Sequence, residues 1–93
     1  MITLVASTVT LLVKQEKRNR YIKLNSDSTT VTRVGKTPSS VEMANMGFGF
    51  TAYDDIVVYL RAGDEIHGVS SGTPNISIAE VSPETVKNAI IIT

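Results

Sequence analysis

Apolar and polar positions alternate along most of this chain in short bursts. Residues 8–13 read Thr-Val-Thr-Leu-Leu-Val, placing Val9, Leu11 and Val13 on one side and Thr8, Thr10 and Leu12 on the other. Leu12 breaks the polar side, so this strand is expected to be covered on both faces. Residues 20–24 set Tyr21 against Ile22 and Leu24, and the Asn-Ser-Asp-Ser of 25–28 is turn chemistry. Residues 29–34, stopped by Gly35, then form the second arm of an expected hairpin. In residues 47–52, Phe48 and Phe50 share a face and Gly47 and Gly49 leave the other side bare. Residues 56–61 are the most apolar run and are expected to be central. Residues 65–70 and 75–81 follow, with Ile76, Ile78 and Glu80 facing one way and Ser77, Ala79 and Val81 the other. The stretch 47–81 has the rhythm of an antiparallel meander. Seven short strands at this spacing predict an all-β fold, a single antiparallel β-sandwich of jelly-roll or Ig-like type.

The remaining segments are less regular. Residues 36–46 form a loop around Pro38, and 41–46 are expected to make one helical turn capped by Ser39 or Ser40. Ser82-Pro-Glu-Thr85 reads as a helix start. Residues 89–93 read as a strand whose three isoleucines either complete the chain's own sheet or add to a neighbour's. The expectation is one domain over 1–93, with a core of about 7–81, extended termini and a C-terminal arm at 82–93.

Composition supports strands. Val, Ile and Thr make up a third of the 93 residues, and their branched side chains suit a pleated surface. With no cysteine, neither a disulfide nor a thiolate metal site is available. Nine basic and nine acidic residues cancel, which argues against a general nucleic-acid binder. The basic cluster of 14–20 reads foremost as a solvated loop. No run reaches the length of a membrane span. The apolar start after Met1 lacks a positive leader, which is expected of a protein made in the cytoplasm.

The chain is poor in chemistry. His67 shares a strand face with Glu65, giving two potential metal ligands where three or four are needed. Asp54 and Asp55 read as turn residues, without the spaced oxygen series and glycine pivot of a calcium loop. A nucleophile elbow is missing from the sequence, and Gly47-Phe-Gly49 lacks the third glycine of a dinucleotide loop. Phe48 and Phe50 have few Lys or Arg around them, so core packing is favoured over base stacking. No enzyme, no cofactor and no metal are expected.

The order and punctuation of the chain add one further indication. Ser7 to Val13 precede Arg18-Asn-Arg20. Tyr21 to Ser28 and Thr30 to Gly35 follow. After a variable loop come 47–50, 56–61, Glu65 to Thr73 and 75–81. This succession resembles small β-sandwich proteins of tailed-phage particles over about residues 7–81, and departs from them at 36–46 and 82–93. The resemblance implies a structural virion protein of the capsid surface, made in the host cytoplasm. It would be a decoration or cement protein that binds the major capsid protein and neighbouring copies of itself as a homo-oligomer. It implies no membrane and no specific nucleic-acid partner. Strand addition by apolar ends would suit such a role. The expected contacts are Ile2, Leu4, Arg18, Arg20, Met43, Met46, Val86, Ile90, Ile91 and Ile92. A head-fibre or tail-fibre module using Tyr53, Tyr59 and the 36–46 loop is the first alternative. A small carbohydrate- or nucleic-acid-binding sandwich is the second.

Overall fold

The strongest alternation in the sequence becomes the centre of the molecule. The computed structural model describes residues 1–42 and 47–93. In β3 (Arg20–Ser26), Arg20, Ile22 and Leu24 are buried while Tyr21 and Lys23 are half-exposed. β6 (Ile56–Leu60) repeats the pattern with Ile56, Val58 and Leu60. The two strands are antiparallel with Ile22 opposite Val58 and Leu24 opposite Ile56, so their apolar rows coincide. β8 (Asn75–Val81) pairs along the other side of β3, and β1 (Ile2–Thr3) adds to β8. The first sheet therefore has the order β1-β8-β3-β6.

The second sheet is built from β2 (Thr10–Val13), β4 (Thr32–Gly35), β5 (Phe48–Phe50) and β7 (Ile66–Ser70), in the order β2-β7-β4-β5. Both sheets are antiparallel throughout. One hydrophobic cluster draws on both. Ile22, Leu24, Val58, Leu60 and Ile76 come from the first sheet, and Leu12, Val34, Phe50 and Ile66 from the second. The fold is all-β and sandwich-like.

The expected pairings are corrected. The hairpin of 20–24 with 29–34 does not form, because β3 and β4 lie in different sheets. Within the expected meander of 47–81, β5, β6, β7 and β8 alternate between the sheets, so no consecutive pair is bonded. The connections are tied to one another instead of closing tight hairpins. The Asp27 carboxylate accepts from the Asn75 backbone N–H (2.8 Å) and side-chain amide (2.7 Å). Ala52 N–H donates to Ser28 O, and Leu4 N–H to Pro74 O. Alternation fixes which side chains face the core, and says nothing about which strand is the neighbour.

β2 is a second correction. Leu11 and Val13 do not share a face as strict alternation requires. Leu11 pairs with His67 and Val13 with Ile66, leaving Leu12 as an extra residue in a β-bulge. The bulge lets both Leu12 and Val13 turn inward and leaves Leu11 exposed. Leu12 packs over Gly68, where an added Cβ would stand only 2.6 Å from its Cδ1.

The termini are not extended arms. β1 makes an eighth strand, and Leu4 beyond it is 1% exposed. At the other end, Ile90 forms a parallel bridge to Val58: its N–H donates to Val57 O (2.8 Å) and its carbonyl accepts from Tyr59 N–H (2.9 Å). Ile92 enters the core, 2% exposed, and Thr93 O accepts from Lys36 N–H (3.0 Å). The core thus reaches from Leu4 to Ile92, because apolar side chains at both ends find their own sheets within reach. The expected strand at 89–93 is reduced to that single bridge. The expected helix at 82 is one 3-10 turn, Pro83–Thr85, without a side-chain cap. A 3-10 turn forms at Pro38–Val41, capped by Thr37, whose Oγ1 accepts from Ser40 N–H, and most of the turn expected at 41–46 falls on residues that are not described. Residues 43–46 lie outside the described residues.

Candidate functional site

The side chains that the core does not absorb define the surfaces available for function. On the second sheet the outward rows run Leu11, His67, Gly35 and then Val69, Arg33, Gly49. At the Gly35 end this face is covered by the 3-10 turn, whose Ser40 Oγ lies 2.0 Å from where a Cβ on Gly35 would stand. Away from that turn the face is open. Leu11 is 45% exposed, Val69 is half-buried, and Val31 is exposed beside Gly49, its Cγ1 3.0 Å from a Cβ there. Phe48, on edge strand β5, is exposed too, whereas Phe50 two residues on fills the core. Leu11, Val31 and Val69 thus give an apolar face crossed by Arg33, whereas Phe48, paired with Val34, lies on the inner side at the sheet's edge. His67 lies at its margin with Nε2 3.0 Å from Glu65 Oε1, a paired histidine on a strand.

The arginines of the Arg18-Asn-Arg20 loop are engaged internally. Arg20 is not a loop residue: it opens β3 and is 4% exposed. Its guanidinium donates to Lys14 O (3.0 Å) and Asp64 O (3.4 Å) and pairs with Glu16 (3.3 Å), joining the β2–β3 and β6–β7 connections. Among the described residues its Nε has no partner. Arg18 forms a two-pronged bond to Glu80 at 2.6 and 2.5 Å, and its Nε reaches Glu16 at 3.1 Å. The Glu80 hydrogen bond raises the Arg18 pKa, and reciprocally Arg18 holds Glu80 below the usual carboxylate range. The same two connections bound a shallow cleft of about 550 Å³ lined by Gln15, Glu16, Lys17, Ala62 and Gly63. Gly63 sits at φ +89°, a left-handed turn position that glycine tolerates. Lys36 and Asp64 pair at 3.4 Å nearby. Burial pushes the Asp64 carboxyl up, but the Arg61 backbone N–H and Lys36 outweigh it and hold it low.

The expected contact residues separate. Leu4, Arg20 and Ile92 are buried in the chain's own core and are not presented to a partner. Ile2 is half-buried in β1, and Ile90 and Val86 are half-buried in the returning tail. Arg18 is accessible but ion-paired. Ile91 is 71% exposed, between two neighbours that face the sheet. Met43 and Met46 lie outside the described residues. Leu11 and Val31 were not among the expected contacts. The signal for Leu11 was present in the run Leu-Leu-Val, which alternation cannot place on one face. Among the described residues, no group of three or more His, Cys, Asp or Glu is placed to hold a metal ion, and no helix is long and apolar enough to cross a membrane.

The chain matches no family model, no curated protein and no solved structure.

Proposed function

We propose that this chain is a jelly-roll structural protein of a tailed-phage particle. In this reading it decorates the capsid by binding the major capsid protein through the outer face of the β2-β7-β4-β5 sheet. The observation that carries the reading is the strand order. The orders β1-β8-β3-β6 and β2-β7-β4-β5, with the chain crossing between sheets at every step except β4 to β5, are what an eight-stranded double Greek key gives. That architecture recurs in viral capsid and lectin domains. Fold alone does not decide function, so the surface must. On that outer face exposed Leu11 and Val31, beside half-buried Val69, suit docking on another protein. The absence of net charge disfavours capture of packaged nucleic acid. The role is structural: the protein catalyses nothing, takes no cofactor and sits on the virion surface among copies of itself.

The burial of the tail changes how this reading is tested. Removing residues 88–93 would take Ile92 out of the core, so loss of decoration would follow from unfolding alone. Leu11→Asp is the cleaner variant, since Leu11 already faces solvent. Purified protein is mixed with undecorated phage heads and sedimented. Leu11→Asp is expected to bind at least about tenfold more weakly while circular dichroism and melting temperature stay at parental values. Decoration at full occupancy by Leu11→Asp would refute the docking face. A fibre module is the second reading, favoured by Tyr53, which stands 86% exposed on the β5–β6 connection. Copies stoichiometric with the capsid protein support decoration, and copies confined to a vertex or tail support a fibre.

A further inference from the structure

The outer face of the first sheet is chemically unlike that of the second. Its rows run Val81, Tyr21, Tyr59; then Ala79, Lys23, Val57; then Ser77, Asn25, with Asp55 beyond β6. Tyr21 and Tyr59 are direct cross-strand neighbours with ring centroids 5.1 Å apart and planes inclined at 44°. Both are half-buried, which holds the rings in place. At the other end, Asn25 Nδ2 donates to Asp55 Oδ1 (2.6 Å) and Lys23 Nζ lies 3.4 Å from Asp55 Oδ2. Rows on one face repeat every two residues, about 7 Å, so the tyrosines and the Asn25–Asp55 pair stand about 14 Å apart. Alongside, β8 presents half-buried Val81 next to Tyr21 and then the short, exposed side chains of Ala79 and Ser77. β1 covers β8 at Asn75 and Ile76 alone, so this flank is open.

We propose that this face is a binding site for a neutral oligosaccharide. Tyrosine rings offer a flat apolar surface with a polar tip, which suits the C–H face of a sugar ring. Lys23, Asn25 and Asp55 set donors and acceptors side by side, which suits hydroxyl groups that donate and accept at once. The one cation and the one anion of the row cancel. A phosphate or nucleic acid therefore gains no net attraction here. An apolar protein surface would leave the Lys23–Asp55–Asn25 group desolvated without new partners. A neutral polyol meets both halves of the site. The shelf at Ser77 and Ala79 gives the chain of sugars a path beside the taller side chains of β3. This site lies on the opposite sheet from the proposed docking face and does not depend on it.

The test is an amide-resolved NMR titration of the full chain with maltohexaose, cellohexaose and xylohexaose in turn. At least one is expected to give saturable shifts centred on β3 and β6. Tyr59→Ala should weaken that binding at least about tenfold, and Tyr53→Ala should leave it unchanged. Ala79→Arg fills the shelf at an exposed position and leaves both tyrosines in the chain, so it keeps the proposal testable if Tyr59→Ala misfolds; it is expected to abolish the shifts. Leu11→Asp protein should bind sugar like the parent, which separates this site from the capsid reading. The proposal is overturned if none of the three saccharides shifts these amides. It is also overturned if Ala79→Arg binds as tightly as the parent, or if oligo-dT shifts the same amides more strongly than any sugar.

Discussion

The two long edges of the first sheet face the same problem and are closed by opposite chemistry. Along β6 the returning tail supplies the bridge at Ile90 and sends Ile92 into the core. Along β8 the covering strand β1 ends after two pairs, and Glu80 on the core-facing row is met instead by Arg18. An uncovered sheet edge invites pairing with other chains, so each edge needs a cover. The apolar cover removes side chains from water and is indifferent to salt. The ionic cover stays in water, with Arg18 and Glu80 side chains 52% and 45% exposed, and is open to both salt and acid. The comparison predicts that the two edges fail under different conditions and at different cost.

The largest effect belongs to the apolar edge. Ile92→Ala is expected to cost about 2–5 kcal/mol, read by urea denaturation. That is a large part of the 5–15 kcal/mol typical of a whole domain. Ile91→Ala, one residue away and turned to solvent, should change stability by less than about 0.5 kcal/mol. Equal losses for the two variants would mean that the tail does not sit in this register. Gly35→Ala comes next, at about 1–3 kcal/mol, because overpacking rather than a cavity sets its cost. Its Cβ would stand 2.0 Å from Ser40 Oγ and 3.1 Å from Thr93 O. Ser40 Oγ donates to Thr37 O at 2.7 Å and holds the 3-10 turn, so it yields poorly. Faster hydrogen exchange at the Lys36 amide, the donor to Thr93, is the local signature; an unchanged rate would separate Gly35 from the tail.

How much of this was legible follows from what a linear pattern encodes. The inward rows of β3 and β8 were readable because period-two alternation sets the face directly, down to Glu80 sharing the row of Ile76 and Ile78. The run at 56–61, expected to be central, is instead the end strand of its sheet. Partners were not readable. The connection after β3 has good turn residues, yet Asp27 spends its carboxylate on Asn75, 48 residues away, and the strand beyond crosses to the other sheet. The three isoleucines at 90–92 read as one sticky segment. Only the β6 edge, assembled in three dimensions, divides them into Ile90 on the bridge, Ile91 in solvent and Ile92 in the core. The docking face was missed because its decisive event, the bulge at Leu12, is a register shift that strict alternation excludes. The tyrosine pair was hidden for a similar reason, since Tyr21 and Tyr59 become neighbours only once β3 and β6 pair.

Acid should divide the edges. Asn75 holds the Asp27 carboxyl below its ordinary value through its backbone N–H and its side-chain amide, and Asn25 does the same for Asp55. Asp64 and Glu80 are lowered as well. A carboxylate lowered in the folded state stabilises the fold fully above its unfolded value, near 3.9 for Asp and 4.3 for Glu. That contribution fades as pH falls below the unfolded value and is gone once pH passes the lowered folded value. Stability is therefore flat from neutrality to about pH 5 and declines below about pH 4. In that window the amides of Ala79 and Val81, which face β3, should lose exchange protection before those of Tyr59 and Ile90, whose cover is apolar. Simultaneous loss at both edges would mean that they open as one unit.

The smallest effect isolates the ionic cover itself. A double-mutant cycle with Arg18→Ala and Glu80→Ala is expected to give a coupling that is measurable at low salt and vanishes near 1 M NaCl, where the screening length falls to about 3 Å. Both groups are exposed, so screening removes attraction without any compensating gain in burial. Arg18→Lys should recover only part of the coupling, because a single ammonium cannot supply the two parallel N–H bonds that Arg18 gives Glu80 at 2.6 and 2.5 Å. A coupling that persists in high salt would show that the β8 edge is closed by packing of the Arg18 stem instead. The contrast between the two edges would then be one of degree, since both would exclude water by apolar contact.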